Sequence, residues 1–143
     1  MNVDHYILNG FQKVATITRT KPEGVRKSKY GVYTIFSRDL KGASGVYLLT
    51  IGSEAKKIGE SVNLDHRLMH YRIGSQPGNI YVRENINPED TITVLFLECY
   101  MEEVSYGGVL TRKGISYRDL EKALLRQYLE VNGRLPEWNK GIQ

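Results

Sequence analysis

Gly45-Val46-Tyr47-Leu48-Leu49-Thr50-Ile51-Gly52-Ser53-Glu54-Ala55-Lys56-Lys57-Ile58-Gly59 is the stretch on which the reading of this chain turns. Gly45–Ile51 and Lys56–Gly59 are short β-prone runs on either side of Gly52-Ser53-Glu54, so they predict two strands of one hairpin. A tyrosine, Tyr47, lies early on the first strand, and a lysine, Lys57, lies on its partner. Asn63 then caps a helix predicted to run to about Arg72. Its periodicity sets Leu64, Leu68 and Tyr71 on one face and Asn63, His66 and His70 on another, with Arg67 one turn in, on the side that presents Tyr71.

Farther along, Thr91–Tyr100 is apolar on both faces apart from Glu98, which predicts a central strand. Ser116-Tyr117-Arg118-Asp119 opens a last helix as a variant of the capping box, with Leu120, Ala123, Leu124, Tyr128 and Val131 as its buried stripe. Asn132-Gly133 and Pro136 stop it. Glu121 sits one position from Leu120, at the border of the core, where a carboxylate suits a hard divalent cation.

Upstream, Asn9-Gly10 between Tyr6-Ile7-Leu8 and Phe11–Thr20 is a hairpin signal, so the chain is expected to open with a β-arm. Lys21–Lys29 carries four basic residues against one acidic and breaks the strand with Pro22 and Gly24, as a loop that orders on a partner would. Strand character resumes at Tyr30–Ser37. The fold class expected is α/β (α+β), a small central antiparallel sheet of about three strands flanked by helices. It divides into an N-terminal β-arm over 1–43 and a core over 44–143, with a Gly-rich insertion at 102–115.

At 143 residues the chain builds one ordinary core. Its formal charge of +4 is uneven: residues 1–72 hold 12 Lys/Arg against 6 Asp/Glu, and residues 73–143 hold 8 against 10. The first half is therefore the side that attracts a polyanion. The single cysteine, Cys99, excludes an intramolecular disulfide and a cysteine metal cluster, and reads as a buried thiol in a reducing compartment. No run approaches the roughly 18 apolar residues of a membrane span, and Met1-Asn2-Val3-Asp4-His5 lacks a signal peptide's basic flank and apolar core. A cytoplasmic protein with no membrane partner is the expectation.

A tyrosine, a second proton-active residue, a guanidinium, a carboxylate and an asparagine are what phosphodiester hydrolysis requires. The reaction needs an activated water, charge neutralisation at phosphorus and help for a poor leaving group. In order, Gly45-Val46-Tyr47, Lys57-Ile58-Gly59, Asn63-Leu64-Asp65-His66-Arg67, Glu121 within Asp119–Ala123, and Pro136-Glu137-Trp138-Asn139 resemble the GIY-YIG nuclease superfamily, most of all its phage endonuclease II and restriction-enzyme branches. The resemblance covers residues 44–139.

It implies that Tyr47 acts on the attacking water, that Arg67 holds the scissile phosphate, and that Glu121 binds one Mg²⁺ or Mn²⁺. It implies that Asn139 braces the site or contacts phosphate. Lys57 stands where the family usually has a second tyrosine, which leaves open whether Tyr47 or Lys57 handles the proton. Tyr71 stands where homing members often have histidine, with His70 one position earlier as a candidate donor to the leaving group. His66 and His70 also have zinc-binding spacing, but no glutamate follows His66 as a zinc protease would require.

The resulting expectation is a divalent-metal-dependent endonuclease acting on double-stranded DNA, of restriction or phage type. Arg19, Lys21, Arg26, Lys27, Lys29, Arg72, Arg112 and Lys113 are its candidate DNA contacts. Symmetric targets favour a homodimer or higher homo-oligomer. The alternatives are a nucleic-acid-binding module with the same fold and no turnover, and a structure-specific repair or recombination nuclease.

Overall fold

The computed structural model describes residues 2–73, 77–99, 101–106, 109–114 and 116–141, and the side chains of 2–72, 78–99 and 116–141. Eleven elements follow in order among them: α1 (Val3–Leu8), β1 (Gln12–Thr18), β2 (Tyr33–Phe36), β3 (Gly45–Ile51), β4 (Glu54–Ser61), α2 (Leu64–Ile73), α3 (Pro77–Glu84), β5 (Thr91–Glu98), β6 (Met101–Tyr106), β7 (Val109–Gly114) and α4 (Tyr117–Asn132). Five strands form one antiparallel sheet in the order β2-β1-β5-β3-β4, and β6 and β7 form a separate hairpin.

Strand β5 lies in the middle, as its two apolar faces foretell. Strand β3 is buried from Gly45 to Thr50 because both of its faces are covered. Tyr47 and Leu49 point into a core shared with Leu64, Leu68 and Tyr71 of α2 and Val82 of α3. Val46 and Leu48 point to the other side, against Tyr6 of α1 and Leu125 and Tyr128 of α4. The sheet is thus a middle layer between two pairs of helices. Gly45 admits no side chain, since a Cβ there would run into the Leu97 carbonyl of the neighbouring strand.

Several expectations change. The sheet has five strands and not about three, because β1 pairs with β5 from Gln12 to Thr18 and β2 pairs with β1. The N-terminal strands are therefore woven into the sheet and do not form a projecting arm. Asn9-Gly10 does not turn a hairpin. It ends α1, whose N-cap is Asn2, and of the two residues only Gly10 takes a positive φ, +99°. The dipeptide is ambiguous, because the left-handed residue that a tight hairpin needs also ends a helix.

Helix α3 is unforeseen in the sequence reading, and Pro77 is its first residue, where a missing N–H costs nothing. On α4 the Ser116 cap and the left-handed Gly133 stand as expected. Leu125 joins Tyr128 as the fully buried pair, whereas Ala123 and Val131 face solvent. Among the described residues no helix is long and apolar enough to cross a membrane.

Candidate active site

Strand β4 is an edge strand, and the free hydrogen-bonding groups of its outer side organise the site. The Lys56 carbonyl accepts from the Trp138 N–H at 2.8 Å. The Asn139 amide completes the pattern as a strand would: its Oδ1 accepts from the Ile58 N–H at 2.9 Å and its Nδ2 donates to the Ile58 carbonyl at 2.8 Å. Two residues on, the Glu60 backbone lies near enough to the Glu121 carboxylate to favour its charged form. The segment after α4 is fastened along this edge, and the Glu121 carboxylate of α4 lies beside it. Trp138, 3 % exposed, anchors the segment in the core beside Tyr47 and Tyr71.

The cleft so formed has a volume of about 500 Å³ and is lined by Tyr47, Lys57, Glu60, Arg67, Glu121 and Asn139 among others. Tyr47 comes from β3, Lys57 and Glu60 from β4, Arg67 from α2, Glu121 from α4 and Asn139 from beyond it. Gly59 makes room for the phenol, because a Cβ there would stand 2.5 Å from both Cζ and the hydroxyl oxygen of Tyr47. Behind Tyr47, the fully buried Tyr71 shares a hydrogen bond with it, hydroxyl to hydroxyl, and the rings meet edge to face at 6.2 Å. Lys57 Nζ lies 5.9 Å from the centre of the Tyr71 ring.

Burial pushes the Tyr47 phenol up to about 12, with Arg67 and the Tyr71 hydrogen bond pulling the other way and the Glu121 and Glu60 carboxylates adding to the rise. Tyr71, buried and bonded to Tyr47, is held well above the ordinary phenol value. Burial lowers the Lys57 ammonium, the Arg67 guanidinium lowers it further, and Glu121 opposes both. Burial raises the Glu121 carboxyl, and Glu60 raises it again, against Lys57 and Arg67. Groups from four elements feel one another's charge across a single cavity.

The donor set fits a hard divalent cation. Glu60 lies close enough to Glu121 to disfavour charge on that carboxylate, a crowding that a bound cation would relieve. Among the described residues no group of three or more His, Cys, Asp or Glu gathers, so water and substrate oxygens would complete the coordination.

Five of the seven candidate catalytic residues, Tyr47, Lys57, Arg67, Glu121 and Asn139, line the cleft. Tyr71 is behind the lining. His70 is outside it and faces His66, with their Nε2 atoms 3.1 Å apart. Burial, His66 and Arg67 lower its pKa. Glu60, Arg118, Lys122 and Lys140 were not singled out from the sequence and do line the cleft; Glu60, next after Gly59, is the one that the motif's position could have revealed.

The candidate DNA contacts divide. Arg26, Lys27, Lys29 and Arg72 line a second concavity. Lys21 is outside both concavities, its Nζ donating to the Pro22 carbonyl at 3.4 Å. Arg19 is committed internally, its guanidinium donating to the carbonyls of Ile86, at 2.6 Å, and Arg83 at the end of α3, so the expectation of a phosphate contact gives way to a helix C-terminal cap. Arg112 and Lys113 lie on β7, and their side chains fall outside those described.

No protein-family model matches the sequence, and no curated protein matches it. Solved structures are similar, two of them as follows. A mutant of bacteriophage T4 EndoII superposes with a TM-score of 0.65 at 17 % identity, over 97 % of this chain and 98 % of that one. Restriction endonuclease HPY188I in complex with product DNA superposes with a TM-score of 0.56 at 14 % identity, over 99 % of this chain and 87 % of that one. At these identities what is shared is the fold, and it is the fold of the GIY-YIG nucleases that the residues from Gly45 to Asn139 resemble.

Proposed function

We propose that this protein is an endonuclease that hydrolyses phosphodiester bonds of double-stranded DNA with a divalent metal ion. The observation that carries this is the meeting of Tyr47, Lys57, Arg67 and Glu121, from four separate elements, around one open cleft. The two similar folds, a restriction endonuclease solved with product DNA and a phage endonuclease, support restriction-type or phage-type cutting.

In this reading Arg67 binds the non-bridging oxygens of the scissile phosphate, where a planar guanidinium offers paired donors. A water positioned by the Tyr47 hydroxyl attacks phosphorus, and the Lys57 amine takes its proton. Lys57 suits that task better than Tyr47, because its surroundings lower its pKa whereas burial raises the phenol's to about 12. The hydroxyl-to-hydroxyl bond with Tyr71 holds the phenol in place, and with Tyr71 as its donor the Tyr47 proton is left to point into the cleft. Mg²⁺ or Mn²⁺ held by Glu121, with Glu60 beside it, would neutralise charge on the phosphoryl group and the departing oxygen. Asn139 keeps the edge of β4 straight, so that Lys57 and Glu60 project from a fixed backbone.

Incubation with supercoiled plasmid and Mg²⁺ or Mn²⁺ is expected to give nicked or linear DNA, and neither the wild type in excess EDTA nor Glu121→Ala with the metal should do so. Discrete ends on mapping indicate sequence-selective cutting. Plasmid that stays intact with wild type, while the protein still binds it, would leave only a binding module.

A further inference from the structure

A second concavity, of about 430 Å³, shares no lining residue with the cleft. It lies between residues 22–30 and β2, with Arg72 from the last turn of α2. Four exposed cations line it, Arg26, Lys27, Lys29 and Arg72, and no carboxylate does. None of the four is ion-paired among the described residues. The cleft, in contrast, sets Glu60 and Glu121 among its cations Lys57, Arg67, Arg118, Lys122 and Lys140. A groove with uncompensated charge of one sign concentrates its potential and draws counterions, which a polyanion displaces.

The segment that carries three of these cations is held in place. The Ser28 N–H donates to the Tyr33 hydroxyl at 3.1 Å, and the Tyr30 N–H donates to Ser28 Oγ at 3.3 Å. The Arg83 guanidinium of α3 lies 5.0 Å from the centre of the Tyr30 ring. Ordering on a partner therefore costs less than it would for a free tail. Tyr30 and Ile35, 41 % and 47 % exposed, add apolar surface between the charges.

Helix α2 relates the two concavities. Arg67 lines the cleft and Arg72 the groove. Five residues apart, they are separated by about 7.5 Å along the axis and about 140° around it, on opposite flanks of the buried stripe Leu64, Leu68 and Tyr71. A backbone held at Arg67 and one held at Arg72 are then different stretches.

We propose that this groove binds the phosphate backbone of duplex DNA at a stretch separate from the one cut in the cleft. The choice of DNA as the polyanion rests on the nuclease reading of the cleft. The test is fluorescence anisotropy with a labelled duplex in EDTA, over a salt series, for wild type, Lys27→Ala/Lys29→Ala and Arg72→Gln, beside single-turnover plasmid cleavage at saturating protein. Each phosphate contact contributes about 0.9 to the slope of log affinity against log salt, so the double variant should flatten it by up to about two and Arg72→Gln by up to about one. Cleavage at saturation should stay within about threefold, because the groove holds and does not cut.

A wild-type slope in both variants would overturn the proposal. So would binding to phosphatidylserine vesicles that the double variant loses while its duplex affinity is unchanged. A wild-type protein that shows the steep slope and a flattened one in the variants, yet never cuts, removes the nuclease reading and leaves the groove standing.

Discussion

Tyr47 occupies the space above Gly59 so fully that no side chain fits at residue 59. The obstructing atoms belong to a buried ring whose hydroxyl is bonded to Tyr71, and so they have nowhere to swing. Gly59 is therefore needed for the room it leaves, since its backbone is not among the glycines with positive φ. Gly59→Ala should lose about 1–3 kcal/mol through overpacking. It should also slow single-turnover cleavage by about a hundredfold, since a displacement of about 1 Å at a reacting group has that effect. Denaturant midpoints and quenched-flow cutting measure the two losses separately. Wild-type values in both would mean that the phenol neither packs nor acts at this place.

Among the elements, the outer edge of β4 is where fold and site are joined. Asn139 serves both the N–H and the C=O of Ile58, which are partly buried and lose both partners in Asn139→Ala. Leaving such groups unsatisfied costs about 1–3 kcal/mol each at most, so a loss of a few kcal/mol is expected. Cleavage should fall through the rate and not through DNA affinity, as β4 loosens under Lys57 and Glu60. An unchanged rate with lowered affinity would instead make Asn139 a phosphate contact. Local signals made this region legible in the sequence: the turn between β3 and β4, the caps at Asn63 and Ser116, and the stop at Gly133 are each written within a few residues. Elements whose signals serve two purposes were not legible. Asn9-Gly10 closes hairpins and helices alike, and Pro77 both ends one helix and starts another. Nor does local pattern show that Gln12–Thr18 lies against Thr91–Glu98, because partners so far apart in sequence are chosen by the packing of the whole sheet.

Over the whole molecule, the sheet draws β1 and β2 from the first quarter of the chain, so residues 1–41 supply Tyr6, Phe11, Val14, Ile17 and Leu40 to the two cores. Removing them dismantles the fold and says nothing about DNA contact, which is why side-chain substitution is the proper probe of the basic segment. The same cores bury phenols that the unfolded chain exposes. Tyr6 and Tyr47 are each raised to about 12, chiefly by burial, and Tyr71 is raised well above its ordinary value of 10.0 for the same reason. A group with a raised folded pKa gives stability that is fully present below the unfolded value and is lost as pH climbs through the folded one. Here the unfolded chain begins to release these protons near pH 10, while the folded chain keeps them. Tyr6 and Tyr47, the two held at about 12, then each remove up to about 1.4 kcal/mol of stability per pH unit between about pH 10 and 12, and Tyr71 acts in the same direction. Urea midpoints across this interval should fall steeply after a level stretch below it. Tyr6→Phe should make the slope shallower, and because the Tyr6 hydroxyl has no hydrogen-bond partner among the described residues, it should raise stability at neutral pH by about 1 kcal/mol. A midpoint that holds level to about pH 12 would mean that the buried phenols, Tyr47 of the cleft among them, ionise as freely in the folded protein as in the unfolded chain.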